Sequence, residues 1–289
     1  MNQNSASQPG WLELPAGIIS EEGVIRVLEP ADSDAGRLRD DIMTGRYTKP
    51  FILDDGRLRR LYFTLRYLQS SMTLKDPHRL DLAYTRKMMA FLLFHPNPKR
   101  ILLIGLGGGS LAKFCHRHLP RARVTAVEID PTVIAMGDQF GVTADERLAI
   151  HQADTADFLP AVQADTDILL LDAFDRHGIA PSLSNPAFFA AARRRLRPNG
   201  LLVANLAGAE DNWRPHLGML RDAFDERIIL VRVAGDDNHI AFAFTNADFP
   251  PHWALLEKTA QGLQRRHGLD YPEFLRKLKR AAAKRLPRR

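Results

Sequence analysis

Residues 100–110 read RILLIGLGGGS, and this stretch decides the fold of the chain. A short run of isoleucine and leucine is typical of a buried strand. The glycines after it permit a turn in which the backbone approaches a ligand closely, and a helical pattern begins at Ser110. A dinucleotide-binding turn has glycine at the position of Ser110, which disfavours a nicotinamide site. The stretch predicts a strand, a ligand-binding turn and a helix, with a purely structural tight turn as the alternative.

From residue 100 onwards, short apolar runs alternate with helical patterns. The predicted strands are 101–104, 124–127, 148–151, 168–171 and 201–204, and the predicted helices are 110–118, 131–140, 155–160 and 186–196. Parallel strands need crossover connections, so this alternation predicts a parallel sheet covered on both faces. Two further runs, 227–233 and 239–245, are separated by only five residues and predict a hairpin at an antiparallel edge. We therefore predict an α/β fold with a seven-stranded, mostly parallel sheet.

The flanking segments differ from this pattern. Residues 23–63 contain short strand-like runs and the turn sequence Asp54-Asp55-Gly56, which predict a small antiparallel β domain. Residues 80–94 read as a helix that ends before Pro96, and residues 253–286 read as helix broken near Gly268 and Pro272. The predicted domains are a β-rich cap at 1–79, the sheet domain at 80–252 and a helical tail at 253–289.

Composition excludes several classes of protein. With 45% hydrophobic and 26% charged residues, the chain is unlike collagen, a coiled coil or a disordered protein. Its single cysteine, Cys115, excludes an intrachain disulfide and a four-cysteine zinc site, and the scattered histidines predict no metal site. The longest apolar run, 88–94, is far shorter than the ~20 residues of a membrane helix. The first ten residues lack the features of a signal peptide, so we expect a cytoplasmic protein without membrane contact.

The net charge of +6 comes from the end of the chain. Residues 276–289 contain eight basic residues and no acidic one, which leaves residues 1–275 with 32 basic and 34 acidic residues, a net charge of −2. A basic tail of this kind contacts RNA or anionic lipid in some proteins, but a solvated helix face with a frayed end is the interpretation we favour. Nucleic-acid binding is therefore not expected beyond weak contact through the tail.

Acidic residues follow three of the predicted strands. Glu128 lies about twenty positions after the first glycine, where a carboxylate accepts both hydroxyls of a ribose, unless it is a solvated strand-end charge. Asp154 is placed to accept the amine of an adenine or to cap the helix that begins at Thr155. Asp172 and Asp175 follow the fourth strand, where open parallel sheets place their ligands. Asp172 comes directly after a buried run and is the stronger functional candidate, whereas Asp175 also suits a surface turn.

These motifs together resemble the spermidine synthase family of polyamine aminopropyltransferases. The resemblance rests on the turn Leu53-Asp-Asp-Gly56, Tyr84, the glycine loop, Val127-Glu-Ile-Asp-Pro131, Asp172-Ala-Phe-Asp175 and Leu196-Arg-Pro-Asn-Gly200. It implies a small N-terminal β domain followed by a methyltransferase-like Rossmann domain. The implied donor is decarboxylated S-adenosylmethionine, used as a substrate, with no tightly bound cofactor. The implied acceptor is a small amine, with putrescine giving spermidine, and family members commonly form homodimers.

By this resemblance, each candidate residue receives a role. Asp172 is the catalytic base, and Asp175 and Tyr84 bind the amine substrate. The donor-binding residues are Gly105, Gly107, Gly108, Glu128, Asp154 and Thr155. The donor ribose is assigned to Glu128 and its adenine to Asp154.

The chain departs from the family pattern at three places, and two other functions remain open. Gly108 replaces an aspartate, Thr85-Arg86 replaces His-Glu, and Arg176 replaces a proline, so each change removes negative charge or adds positive charge near the predicted site. A neutral loop at Gly108 is compatible with an S-adenosylmethionine-dependent methyltransferase, because it tolerates the carboxylate of the intact donor. A noncatalytic nucleoside-binding homologue that acts through its basic tail is the other alternative.

Overall fold

Two large β-sheets organise the chain in the computed structural model, which describes residues 9–19, 22–161, 164–175, 178–179, 183–235 and 237–284. The first sheet is antiparallel and has five strands in chain order. These strands are β1 (Pro9–Pro15), β2 (Val24–Pro30), β3 (Phe51–Asp54), β4 (Leu58–Thr64) and β5 (Tyr67–Thr73). The predicted N-terminal antiparallel β domain is confirmed.

This N-terminal sheet is larger than the sequence pattern indicated. Strands β1 and β5 and the helix α1 (Ala35–Thr44) lie outside or between the strand-like runs that we identified. Helix α1 has clear ends, because Asp34 caps its first turn and Gly45 ends it in the left-handed region. Only Ile42 is buried in α1, with Leu38 partly buried one turn before it, so the apolar stripe is too short to show a helical period in the sequence.

The second sheet has seven strands in the order β13-β14-β12-β9-β6-β7-β8. They are β6 (Arg100–Ile104), β7 (Arg123–Glu128), β8 (Leu148–Gln152), β9 (Thr166–Leu171), β12 (Leu196–Leu206), β13 (Ile228–Arg232) and β14 (His239–Phe244). The five strands β12, β9, β6, β7 and β8 are neighbours in this order and are parallel to one another. Strand β14 is antiparallel to both of its neighbours, β12 and β13. The predicted seven-stranded, mostly parallel sheet with a terminal hairpin is confirmed.

Both faces of this sheet are buried. In β6, Ile101 and Leu103 belong to one hydrophobic core, and Leu102 and Ile104 belong to the core on the opposite face. Side chains of a strand alternate between faces, so a strand covered on both sides needs an unbroken apolar run. This is the physical reason that the run beginning at residue 101 indicates a central strand.

The helices cover the sheet, and several of them differ from the sequence prediction. They are α2 (Ala83–Met88), α3 (Ser110–His118), α4 (Pro131–Ala135), α5 (Thr155–Phe158), α6 (Pro186–Arg195), α7 (Glu210–Ala223), α8 (Trp253–His267) and α9 (Tyr271–Ala283). The helix predicted at 80–94 is shorter, because a 3₁₀ segment, Met89–Leu93, follows α2. Helix α7 has no counterpart in the sequence prediction, because Pro215 lowers its helix propensity, although Trp213 and Leu217 are buried one turn apart. The remaining short strands are β10 (Phe174–Asp175) and β11 (Gly178–Ile179). Further 3₁₀ segments are Gly17–Ile19, Gly137–Phe140 and Leu159–Ala161, so the helices predicted at 131–140 and 155–160 also end in 3₁₀ geometry.

The two C-terminal helices meet at the predicted break. Gly268 ends α8 in the left-handed region, and Pro272 lies in the first turn of α9, where proline is tolerated. One face of α9 enters the larger core through Tyr271 and Leu278, both fully buried. Residues 285–289 of the basic segment lie outside the described part of the chain. The domain bounds, a homodimer and contact of the tail with nucleic acid stay predictions.

Within the described residues, no helix is both long and apolar enough to cross a membrane.

Candidate active site

A cavity of about 340 Å³ opens at the carboxyl ends of β6, β7 and β9. Eight of the nine predicted site residues line it: Tyr84, Gly105, Gly107, Glu128, Asp154, Thr155, Asp172 and Asp175. The parallel register of the three strands brings these residues together, because strand ends that are distant in sequence then share one edge.

Gly105 permits the closest backbone approach in this region. It has a φ of +87°, and a Cβ atom there would lie 2.2 Å from the carbonyl oxygen of Asp172. Its amide donates to the carbonyl of Val127 at 2.9 Å, which ties the end of β6 to β7. The glycine therefore sets the spacing between the glycine loop and the residue after β9.

Gly105→Ala is expected to lower the free energy of unfolding by about 1–3 kcal/mol, because an alanine at this φ is strained and its Cβ collides with backbone. Gly262→Ala is the matched control, since the Cβ direction of Gly262 is open and the residue lies inside α8. That control is expected to be neutral or more stable by up to about 1 kcal/mol. Urea unfolding of both variants measures the difference, and equal midpoints would contradict the account.

Gly108 is the predicted site residue that does not line the cavity. A Cβ at this position would lie 2.6 Å from Oγ of Ser70 and 2.9 Å from the ring of Phe140. Ser70 belongs to β5, and its Oγ also lies 3.3 Å from Oγ of Ser110. Gly108 thus permits the N-terminal sheet to pack against the glycine loop, and its role toward a donor stays a prediction.

Glu128 ends β7 with its carboxylate held by backbone. One oxygen accepts from the amide of Leu106 at 2.9 Å, and the other accepts from the amide of Asp130 at 3.0 Å. Burial raises the pKa of Glu128, and the backbone hydrogen bonds oppose that rise. These bonds fix the carboxylate at the cavity wall, where it retains acceptor capacity for a ligand.

Asp154 caps helix α5, which is one of the two roles that the sequence left open for it. Its Oδ1 accepts from the amide of Ala156 at 2.9 Å at the start of α5, and the next residue, Thr155, is buried. Because Asp154 and Thr155 also line the cavity, capping and adenine recognition are compatible. Recognition of an adenine stays a prediction.

Asp172 lies between two side-chain donors. Tyr84 donates its hydroxyl to Oδ2 at 3.2 Å, and Asn205 donates its amide to Oδ1 at 2.9 Å. Burial raises the pKa of Asp172 to about 6, although both hydrogen bonds oppose the rise. A carboxylate with this pKa is ionised at neutral pH and is a far better proton acceptor than an exposed aspartate.

Asp175 is the last residue of β10 and contacts the first residue of β11. Its Oδ1 accepts from the amide of Gly178 at 3.0 Å. This local contact agrees with the structural role that the sequence left open for Asp175. Asp175 also lines the cavity, so contact with an amine is compatible with this role and stays a prediction.

Proteins of known family are similar to this chain in sequence. The spermine/spermidine synthase domain matches residues 81–213 of the chain. A polyamine aminopropyltransferase from Chromobacterium violaceum is 37% identical over 230 residues, which cover 79% of this chain and 88% of that protein. The chain belongs to the spermidine synthase family.

Solved structures support the fold of this spermidine synthase family member. A spermidine synthase in complex with the transition-state analogue AdoDATO aligns with a TM-score of 0.61 at 16% identity, covering 99% of this chain and 95% of that one. Human methyltransferase-like protein 13 in complex with SAH aligns with a TM-score of 0.56 at 22% identity, covering 72% and 96%. At these identities the alignments show the common fold, and the expected methyltransferase-like Rossmann domain is confirmed.

The departures from the family pattern have different positions. Thr85 lines the cavity and donates its hydroxyl to the carbonyl of Leu82 at 2.7 Å. Arg86 does not line the cavity, because its guanidinium donates to the carbonyls of Leu80 and Asp81, both at 2.6 Å. The guanidinium of Arg86 thus lies outside the cavity lining of this family member, and its effect on the charge near the site stays a prediction. Arg176 lies outside the described residues.

Sequence reasoning missed several residues of the site. Asn205 follows the apolar run of β12 in the same way that Asp172 follows β9, but the adjacency of these strands is known only from the sheet order. Phe63, Gln69 and Ser70 reach the cavity from β4 and β5 of the N-terminal sheet. Their sequence has no motif that marks a site, so only domain packing identifies them.

Among the described residues, no group of three or more His, Cys, Asp and Glu side chains is arranged to hold a metal ion.

Proposed function

We propose that this chain transfers the aminopropyl group of decarboxylated S-adenosylmethionine to putrescine, giving spermidine. The charge of the cavity carries this proposal. Four carboxylic side chains line it (Glu128, Asp154, Asp172 and Asp175), and among the described lining residues there is no Lys or Arg. The donor carries a sulfonium and an ammonium, and putrescine is a dication near neutral pH, so both substrates match an acidic cavity. The polyamine aminopropyltransferase relative supports the same reaction class.

The donor is assigned to the glycine loop and the ends of β7 and β8. In this arrangement Glu128 accepts from the ribose hydroxyls, since its carboxylate is already fixed by two backbone amides. The adenine amine is assigned to Asp154, and the backbone of the glycine loop and Thr155 complete the binding site. The sulfonium end then extends toward Asp172, which lies against Gly105.

The reaction is a displacement at the carbon beside the sulfonium. The amine nitrogen forms a bond to that carbon while the C–S bond breaks, and the bonding pair moves to sulfur to leave a neutral thioether. The attacking ammonium must first lose a proton, which Asp172 accepts. Tyr84 and Asn205 hold the Asp172 carboxylate from two sides, so that it is oriented before the acceptor arrives. Asp175 is assigned to the acceptor as a second anionic contact.

The pKa of Asp172 predicts the pH dependence of this reaction. Asp172 accepts a proton only when ionised, so kcat/KM for putrescine is expected to fall about tenfold per pH unit below an apparent pKa of about 6 and to level off above it. Initial rates from about pH 5 to about pH 8 measure this limb. The limb is expected to vanish from the residual activity of Asp172→Asn, and its persistence there would assign it to another group.

Methyl transfer from intact S-adenosylmethionine is the second candidate, and Gly108 favours it. The Cβ direction of Gly108 is filled by Ser70 and Phe140, so the loop places no carboxylate opposite the amino-acid end of a donor. A neutral loop tolerates the carboxylate of the intact donor. The acidic lining of the rest of the cavity opposes that carboxylate, which is why aminopropyl transfer is preferred.

Calorimetric titration with each donor, followed by product detection by mass spectrometry with putrescine present, tests the proposal. We expect tighter binding of the decarboxylated donor and formation of spermidine. Tighter binding of the intact donor without spermidine would favour methyl transfer. Binding of either donor without any product would favour a noncatalytic nucleoside-binding protein.

A further inference from the structure

A second buried asparagine lies behind the proposed catalytic base. Asn238, in the loop between β13 and β14, donates its side-chain amide to Oδ1 of Asn205 at 2.8 Å. Asn205 in turn donates to Oδ1 of Asp172 at 2.9 Å. Asn238 and Asn205 are 9% and 5% exposed, so water does not readily replace either partner. The three side chains form a hydrogen-bonded chain that runs from the hairpin loop to the cavity.

The direction of this chain has a chemical consequence. An asparagine amide has an accepting end and a donating end, and the carbonyl of Asn205 is occupied by Asn238. The NH₂ group of Asn205 is therefore the end that faces Asp172, where it stabilises an ionised carboxylate. If both amides were reversed, a carbonyl would face Asp172 and would favour its protonated form instead.

The backbone of the hairpin holds Asn238 in place. Its carbonyl accepts from the amide of Val233 at 2.8 Å, which closes the loop between the two strands. The backbone of Asn238 is thus fixed on a hydrogen-bonded hairpin, which keeps its side-chain NH₂ group within reach of Oδ1 of Asn205.

We propose that Asn238 is a positioning residue, which holds the amide of Asn205 in the orientation that donates to Asp172 and so keeps the base ready to accept a proton. The importance of this effect for catalysis rests on the proposed function, in which Asp172 is the base. The effect of these hydrogen bonds on the ionisation of the Asp172 carboxylate does not depend on any reaction.

Other titratable groups lie around the cavity or beside Asn238, and the substitutions used in the test must leave these groups unchanged. They are Tyr84 on α2, Glu128 at the end of β7, Asp154 before α5, Asp175 on β10 and, beside Asn238, His239 on β14. His239 packs its ring against Trp213 at a centroid distance of 4.5 Å, and burial lowers its pKa. Among the described side chains, only Tyr84 and Asn205 hydrogen-bond to Asp172.

Carbon-detected NMR titration of ¹³C-labelled aspartate tests the proposal without any substrate. The Asp172 signal is assigned from its absence in Asp172→Asn. In Asn238→Ala, which removes the donor, we expect the titration midpoint of Asp172 to rise by roughly one pH unit from about 6. In Asn238→Asp, which presents only acceptors to Asn205, we expect at least as large a rise. The acidic limb of kcat/KM is expected to move by the same amount.

Asn97→Asp is the matched control, because Asn97 is exposed in the loop that precedes β6. It is expected to leave the Asp172 midpoint unchanged. Donor affinity measured by calorimetry is expected to stay within about twofold of the parent in the folded variants at residues 238 and 97, since neither residue lines the cavity.

An unchanged Asp172 midpoint in either folded variant would overturn the proposal. If both substitutions at residue 238 prevent folding, the parent protein still decides the question. The side-chain NH₂ signals of Asn238, as well as those of Asn205, must shift with the midpoint of Asp172, and failure of the Asn238 signals to do so would also overturn it. A raised midpoint together with absent spermidine formation would leave this inference standing and refute the proposed function alone.

Discussion

Asp172→Asn is expected to lower turnover by about 10²–10⁴-fold, while donor affinity remains close to that of the parent. The substitution keeps the size of the side chain and removes the group assigned to accept the proton of the ammonium. Asn205 still has an acceptor to bind at this position, so the local packing is expected to survive. Turnover per folded molecule at saturating donor and acceptor measures the effect.

Two further aspartate variants make this test specific. Asp175→Asn is expected to raise KM for the acceptor more than it lowers kcat, because Asp175 is assigned to binding. Asp138→Asn makes the same chemical change at an exposed residue outside the cavity and is expected to change neither parameter. If Asp172 has only a structural role, Asp172→Asn will be less stable but its folded fraction will react normally, and the catalytic assignment would then be withdrawn.

Glu128→Gln is expected to weaken donor binding by roughly 10–150-fold, which corresponds to one lost charge-assisted hydrogen bond of about 1.5–3 kcal/mol. The amide has one accepting end, so it cannot accept from both Leu106 and Asp130 as the carboxylate does. Calorimetric titration with decarboxylated S-adenosylmethionine measures the dissociation constant. Turnover at saturating donor is expected to change much less, because Glu128 does not contact the reacting atoms in the proposed arrangement.

The control for this variant is Glu146→Gln, at an exposed glutamate in the loop before β8. We expect it to bind the donor as the parent does. Equal donor affinity in Glu128→Gln and the parent would identify Glu128 as a strand-end charge without a ligand, which was the alternative at the level of sequence.

Much of the large sheet was predictable because its strands are buried on both faces. The apolar runs at Ile101–Ile104 and Ile168–Leu171 have few other ways to satisfy their hydrophobicity, and the glycines after β6 mark its end. Two of the helices were not predictable in this way. Helix α1 has one buried side chain, and α7 contains a proline, so in both cases the end caps or tertiary packing outweigh the local pattern.

The orientation of side chains around the site was harder to predict from the sequence. Arg86 adjoins a cavity-lining residue in sequence, yet its guanidinium bonds to backbone carbonyls away from the cavity. Gly108 lies within the glycine loop, yet its neighbour is Ser70 of the other sheet. The contacts of Arg86 lie within its own segment of the chain, whereas the contact of Gly108 depends on a strand that is distant in sequence from the glycine loop.

The sequence by itself determined the strand-end positions of Glu128, Asp154 and Asp172, because each acid lies at or within three residues of the end of a predicted strand that must end at the edge of the sheet. Only the tertiary structure decided which groups hold Asp172. Tyr84, Asn205 and Asn238 come from a helix, a strand and a hairpin loop that are far apart along the chain. The order of strands in the sheet places β12 beside β9, and the antiparallel return of β14 brings the hairpin loop next to it. The spacing of these residues along the sequence does not specify their contacts, because the contacts depend on how separate hydrophobic surfaces pack against each other.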